Sequence, residues 1–192
     1  MEIHESLIAS LGRIGDLTDS DKDELRRIFV PQSIKKGEYL TEYGKVNDYL
    51  AFVAKGYFRV YVIDYDGNEV SVHLAGNKDF VGAITSFLTR TTSEEYVQAI
   101  TDTEILTVSY KDLQELYDSS QTWDRIGRRI YEGLFIRKQQ RVINFIKYRA
   151  EERYNLLMAQ YPDMILNVPM IHIASYLGIK PETLSRIRAH IS

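Results

Sequence analysis

Cysteine is absent from this 192-residue chain. That excludes disulfides, zinc–thiolate sites, cysteine nucleophiles and cysteine-held iron–sulfur clusters. Histidine is scarce. With only His4, His73, His172 and His190, a multi-histidine metal site on neighbouring strands is not provided for and no haem ligand stands out, so the expectation is no metal and no cofactor. His73 reads as a packed or surface residue, and His172 as structural or phosphate-contacting. No apolar run approaches the length of a membrane span. The N-terminal Met-Glu-Ile-His-Glu-Ser lacks the basic-then-apolar order of a secretory signal, so a cytoplasmic protein without a membrane partner is expected. Repeats, low-complexity tracts, a phosphate loop and a Ser/His/Asp arrangement are also missing. The chain is therefore not expected to be an enzyme.

What is present is a folded chain with an uneven charge. Hydrophobic residues make up 44%, enough for a core, and the net charge is −3. Residues 1–120 hold 12 Lys/Arg against 21 Asp/Glu, while residues 121–192 hold 12 against 6. The balance is thus −9 in the first part and +6 in the second. A basic end suits a polyanion, although basic helices also occur simply as solvated faces.

The pattern along the chain changes three times. Residues 3–12 and 20–29 read as short helices, the second capped by Asp19 or Ser20. From 30 to 108, turn signals such as Lys55-Gly56, Asp66-Gly67-Asn68 and Gly76-Asn77 separate short β-branched and aromatic runs. Asp66-Gly67 marks a hairpin, with Phe58, Val60 and Val62 on one strand face. Many short strands at this spacing predict an antiparallel barrel or sandwich. A short helix follows over 110–117. A long proline-free helix then runs from 121 to 147, and another helix covers 149–161. The long helix has two apolar rows: Trp123, Ile126, Ile130 and Leu134, and Tyr131, Phe135, Val142, Phe145 and Ile146. One row can meet the chain's own barrel and the other a second copy, unless both are covered within one chain.

The last stretch, Met170 to Arg188, predicts two helices with a sharp turn. Ala174 permits close helix approach, Gly178 permits positive φ, and Pro181 fits a first helical turn. Ile173, Leu177, Leu184 and Ile187 supply the apolar contacts. Lys180, Glu182, Thr183, Ser185, Arg186 and Arg188 are left as polar groups that could face a DNA major groove. Any terminal αα-hairpin shares part of this pattern, but the Ser-Arg pair inside an apolar-periodic helix favours DNA.

These features together resemble the Crp/Fnr family of bacterial transcription regulators. The matching residues include Lys36-Gly-Glu38, Phe52-Val-Ala-Lys-Gly56, Asp79-Phe-Val-Gly82, Gln98-Ala99, Ala150-Glu-Glu-Arg-Tyr154, Ile173-Ala174, Leu177-Gly178 and Pro181-Glu-Thr-Leu-Ser-Arg186. The resemblance implies an α+β chain in three parts. Residues 1–120 would form a cyclic-nucleotide-binding-like sensor, an antiparallel double-stranded β-helix or jelly-roll barrel. Residues 121–148 would form a dimerisation helix using Ile126, Ile130 and Leu134. Residues 149–192 would form a (winged) helix-turn-helix domain lacking a C-terminal wing, either with strands drawn from 163–169 or with DNA affinity resting on Lys180, Arg186, Arg188 and the dimer. It further implies a homodimer on double-stranded DNA with a TTGA-like half-site read by Glu182, Ser185 and Arg186, and RNA polymerase as a further partner.

The family's nucleotide-binding pattern is broken here. The Gly-Glu that opens its phosphate helix reads Gly82-Ala83, and the Arg-Ser-Ala that neutralises the phosphate reads Ser93-Glu94-Glu95. The expected effector pocket at Gly82, Ala83, Ser93 and Glu94 is degenerate, with Arg90 the one nearby cation. Neither cAMP nor cGMP is expected to bind, and an unidentified small molecule remains a candidate effector. The alternative function is a small-molecule-sensing module with conditional or lost DNA binding.

Overall fold

The computed structural model describes residues 2–191. Two short helices, α1 (Glu2–Leu11) and α2 (Asp19–Ile28), precede eight strands. These are β1 (Val30–Ile34), β2 (Tyr39–Thr41), β3 (Tyr49–Lys55), β4 (Phe58–Ile63), β5 (Glu69–Ala75), β6 (Phe80–Val81), β7 (Tyr96–Ala99) and β8 (Thr103–Ser109), with the short helix α3 (Ile84–Thr89) between β6 and β7. Then come α4 (Tyr110–Ser119), the long α5 (Gln121–Lys147), α6 (Ala150–Gln160), α7 (Pro162–Asn167), α8 (Met170–Leu177) and α9 (Pro181–Ile191).

The strands form two four-stranded antiparallel sheets, ordered β1-β8-β3-β6 and β2-β7-β4-β5. Side-chain alternation explains how they are buried. In β3, Ala51 and Val53 join Phe58, Val60, Val97 and Ile105 in the core between the sheets. Its alternate residues Leu50 and Phe52 point the other way, into a second core with Leu7 and Leu25 of the first two helices, Leu106 of β8, and Trp123 of α5. β3 is therefore buried on both faces, which accounts for its nearly continuous apolar run. The β4–β5 hairpin turns at Gly67, whose φ is +84°. The Asp64 carboxylate accepts backbone N–H bonds from Asp66 and Asn68 across the turn.

Three expectations need correction. The cap of α2 is Thr18, one residue earlier than expected, because its hydroxyl and the Asp21 carboxylate form a reciprocal capping box. The stretch 163–169, a candidate for wing strands, instead contains α7. Pro162 fits its first turn, and the helix period buries Met164 and Ile165 against the C-terminal core. The contacts expected for a dimer, Ile126, Ile130 and Leu134, are used largely within the chain. Trp123 and Ile126 are buried in the chain's own core, Ile130 packs beside them, and Leu134 is half-buried. The solvent-facing apolar residues of α5 are Phe135, Ile136, Val142, Ile143, Ile146 and, least of these, Phe145; Ile146 is 83% exposed. The physical reason is that the N-terminal half of α5 runs over the N-terminal segment, with Ile126 against Gly15. The face shared by 123, 126 and 130 is thereby already used.

Candidate nucleic-acid interface and effector cleft

The turn between α8 and α9 is built by backbone chemistry. Gly178 adopts φ +65°, the left-handed conformation that lets the Gly178 and Ile179 N–H groups turn back to the Ser175 and Ala174 carbonyls, each at 3.0 Å. Lys180 then opens α9, its carbonyl accepting from Thr183 and Leu184. Ile173, Ala174 and Leu184 are fully buried at the joint between the helices. With Leu184 inward, the helical period turns Glu182, Ser185 and Arg186 outward, and all three are exposed, as is Lys180. Thr183 and Arg188 are half-buried. The Thr183 hydroxyl lies 3.5 Å from the Arg186 guanidinium. The four exposed residues thus form one polar face at the start of α9.

The opposite side of this helix pair rests on the barrel. The Ser175 hydroxyl accepts the Ser71 N–H at 2.9 Å and donates to the Glu69 carbonyl at 3.1 Å. His172 Nδ1 accepts from a guanidinium N–H of Arg59 at 3.2 Å. Arg59 is itself buried, bonded to the Gln98 amide oxygen at 2.6 and 2.9 Å, paired with Glu69 at 2.6 Å, and laid over the Tyr61 ring. His172 is therefore structural.

Between barrel, α5 and the C-terminal helices lies a cleft of about 680 Å³. It includes Gly82 but excludes the other three expected effector residues. Ala83 is fully buried, and Glu94 is exposed. Ser93 is buried, its hydroxyl engaged with both the N–H and the carbonyl of Glu95. A Cβ on Gly82 would meet Leu50 at 2.9 Å and Asn47 at 3.0 Å. Arg90 is committed elsewhere. It pairs with Asp48, bonds the Asn47 carbonyl and lies over Tyr110.

The residues that do face the cleft include His73, Glu95, Tyr131, Arg141 and Arg153; none was in the expected pocket, and the sequence marked Glu95 only as a lost counter-charge. Burial, followed by the charges of Arg137, Lys138 and Arg141, pushes the His73 imidazole down to about 4, and its Nε2 is buried without a hydrogen-bond partner. Burial raises the Glu95 carboxyl. Nothing in the alternation of β5 reveals that α5 crosses opposite His73. That contact joins residues far apart in the chain.

Burial, and then the Arg59 charge, likewise push His172 down to about 4. Both histidines titrate in the unfolded chain near 6.5. Between these values the unfolded state binds more protons, so stability is lost as pH falls from about 6.5 toward about 4. The melting temperature is expected to drop between pH 7 and pH 5, and His73→Gln to flatten part of that dependence.

Residues 31–120 match the family model of the cyclic nucleotide-binding domain. No curated protein matches the chain by sequence. Among solved structures, FixK2 of Bradyrhizobium japonicum superposes with a TM-score of 0.75 at 19% identity, over 85% of this chain and 84% of that one. A regulator of Eubacterium rectale assigned to the Crp/Fnr family gives 0.69 at 17% identity, over 91% and 83%. The catabolite activator protein of Thermus thermophilus gives 0.59 at 19%, over 95% and 86%.

The fold is that of the Crp/Fnr regulators. Barrel, long helix and terminal helix pair follow in the same order along nearly the whole chain. Among the described residues, no helix is long and apolar enough to cross a membrane, and no group of three or more His, Asp or Glu is placed to hold a metal.

Proposed function

We propose that this chain is a homodimeric, sequence-specific DNA-binding transcription regulator, not an enzyme, whose barrel takes an effector other than a cyclic nucleotide. The observation that carries the reading is the exposed Glu182–Ser185–Arg186 face of α9, set against the buried Leu184 on its other side. In a major groove, Arg186 would bond guanine and Glu182 would accept from cytosine, with Ser185 beside them and Lys180 on phosphate. Thr183 and Arg188 flank this face. A TTGA-like half-site is the reading to test, and the +6 balance of residues 121–192 supports attraction to the backbone. The exposed Phe135, Val142, Ile143 and Ile146 of α5 favour the second copy at that face.

Against a cyclic nucleotide stand Ala83 in place of a ribose-binding carboxylate, Glu94 in place of a counter-charge, and an Arg90 already paired with Asp48. A phosphate placed beside Glu94 would meet repulsion and no cation of that loop to offset it. The reading of conditional DNA binding also has an observation in its favour. α8 is held to the barrel through Arg59–His172 and Ser71–Ser175, so the position of the reading head depends on the barrel surface.

The test is selection of bound DNA from a random library by the full chain, with calorimetry against cAMP and cGMP. Enrichment of a two-fold-related TTGA-like pair and no heat from either nucleotide are expected. Recovery without sequence preference would overturn the DNA assignment, and micromolar cAMP binding would overturn the effector assignment.

A further inference from the structure

Two guanidinium groups in the cleft have no carboxylate partner. Arg141 of α5 donates to the Ser71 and Tyr176 carbonyls at 3.2 and 3.0 Å and lies 4.7 Å from the centres of the Phe145 and Tyr176 rings. Arg153 of α6 donates to the Tyr148 and Leu177 carbonyls at 2.8 and 2.9 Å and lies 4.6 Å from the centre of the same Phe145 ring. The Nε of each is buried and unpartnered. Both residues are half-buried and, among the described residues, neither forms an ion pair, whereas the buried Arg59 has Glu69. Carbonyl dipoles offset only part of the cost of burying a cation. Burial weakens the hold of Arg141 on its proton; Tyr176 offsets part of this, and repulsion from Arg153 across the shared ring adds a smaller push in the same direction as burial.

The rest of the lining has the same bias. Lys138 adds a further cation, and so does Arg137, although Arg137 is already paired with Asp79 at 3.2 Å; the one carboxyl of the lining is Glu95, which burial pushes toward its neutral form. His73 adds a buried Nε2 with no partner. Beyond these groups one part of the wall is apolar, with Phe80, Leu88, Leu134, Leu157 and Met164 among its residues, while Gln140, Asn144, Gln160 and Tyr161 supply polar groups elsewhere. The volume lies in the range of small-molecule sites.

We propose that this cleft binds a small amphipathic carboxylate, its head group on Arg141 and Arg153 and its apolar body along Phe80, Leu134 and Leu157. Each unpartnered Nε–H is a donor that a carboxylate engages side-on once the guanidinium turns to present it, since both are closed to solvent as they stand. An apolar body suits the part of the wall formed by Phe80, Leu134 and Leu157. Arg141 ties β5 to the last turn of α8, so a head group that draws on its bonds reaches the mounting of the reading helix. The link to DNA rests on the function proposed above. Ligand binding does not, and it is measured without DNA.

The experiment is calorimetry on the full chain with two matched pairs, 2-naphthoate against 2-naphthalenemethanol and decanoate against decanol. At least one acid is expected to bind tenfold or more tightly than its alcohol, and the preferred acid identifies the body as aromatic or aliphatic. Arg141→Gln and Arg153→Gln should each reduce that preference severalfold, while the surface control Arg125→Gln leaves it unchanged. Equal binding of acid and alcohol, no binding of either acid at millimolar concentration, or full preference in the Arg141→Gln/Arg153→Gln double variant would overturn the proposal. Should Arg141→Gln fail to fold, the wild-type pairs and Arg153→Gln decide. Loss of DNA binding in a separate gel shift would leave this result standing.

Discussion

Arg186→Ala is expected to weaken binding to the selected operator by about 1–3 kcal/mol, roughly 5- to 150-fold, and to relax preference at a single base pair. Arg186 is exposed at the start of α9, and its nearest side-chain partner, the Thr183 hydroxyl at 3.5 Å, is too distant to restrain it strongly. Its backbone carbonyl meets the His190 ring at 2.9 Å, a contact that does not involve its side chain. Removing the side chain should therefore leave stability nearly unchanged and act on DNA alone. Lys180→Ala provides the contrast. A phosphate contact carries no sequence information, so this change should weaken all sequences alike and lower the salt dependence of binding. Titrations of wild type and both variants against single-base operator variants separate the two cases. Unchanged selectivity in Arg186→Ala would remove the base-reading role.

Gly178→Val is expected to cost about 2–5 kcal/mol and to abolish operator binding while the barrel stays folded. Two penalties combine. At φ +65°, a β-branched residue pays about 1–2 kcal/mol for left-handed backbone. The new Cβ would also lie 2.6 Å from Cε1 of Phe145, and overpacking of this kind typically costs about 1–3 kcal/mol. The Phe145 ring is poorly placed to yield, because Arg141 and Arg153 both lie against it. Gly178→Asn separates the penalties, since Asn tolerates the backbone and retains the clash. Thermal unfolding with operator titration is the measurement. A Val variant within about 1 kcal/mol of wild type would show that the turn is not held as described.

These helices were legible in the sequence because their signals are local. Gly178 and Pro181 sit where turn and helix start demand them. The proline-free stretch from 121 to 147 coincides with α5 at both ends, and Asp66-Gly67 lies in the β4–β5 turn. The cap of α2 moved by one residue because Thr18 and Asp21 complete a reciprocal pair that a neighbouring cap would lose. The facing of α5 was not legible. Both of its rows are apolar, and only the placement of the N-terminal segment over Ile126 decides which is used. The cleft was hidden for a related reason. Ser71, Arg141 and Tyr176 meet in space from three distant parts of the chain, and none carries a spacing signal of its own. The effector positions inferred by resemblance fell mostly outside the cleft because Ser93 closes its own loop and Glu94 faces water.

The 27 residues of α5 are unbroken by proline, so they form a stiff rod of roughly 40 Å. One end is anchored by Trp123 and Ile126, and the other leads into the terminal helices. Such a rod works as a lever. A tilt of about five degrees at the anchored end would swing the far end by roughly 3–4 Å, on the scale of the 3.4 Å step between stacked base pairs.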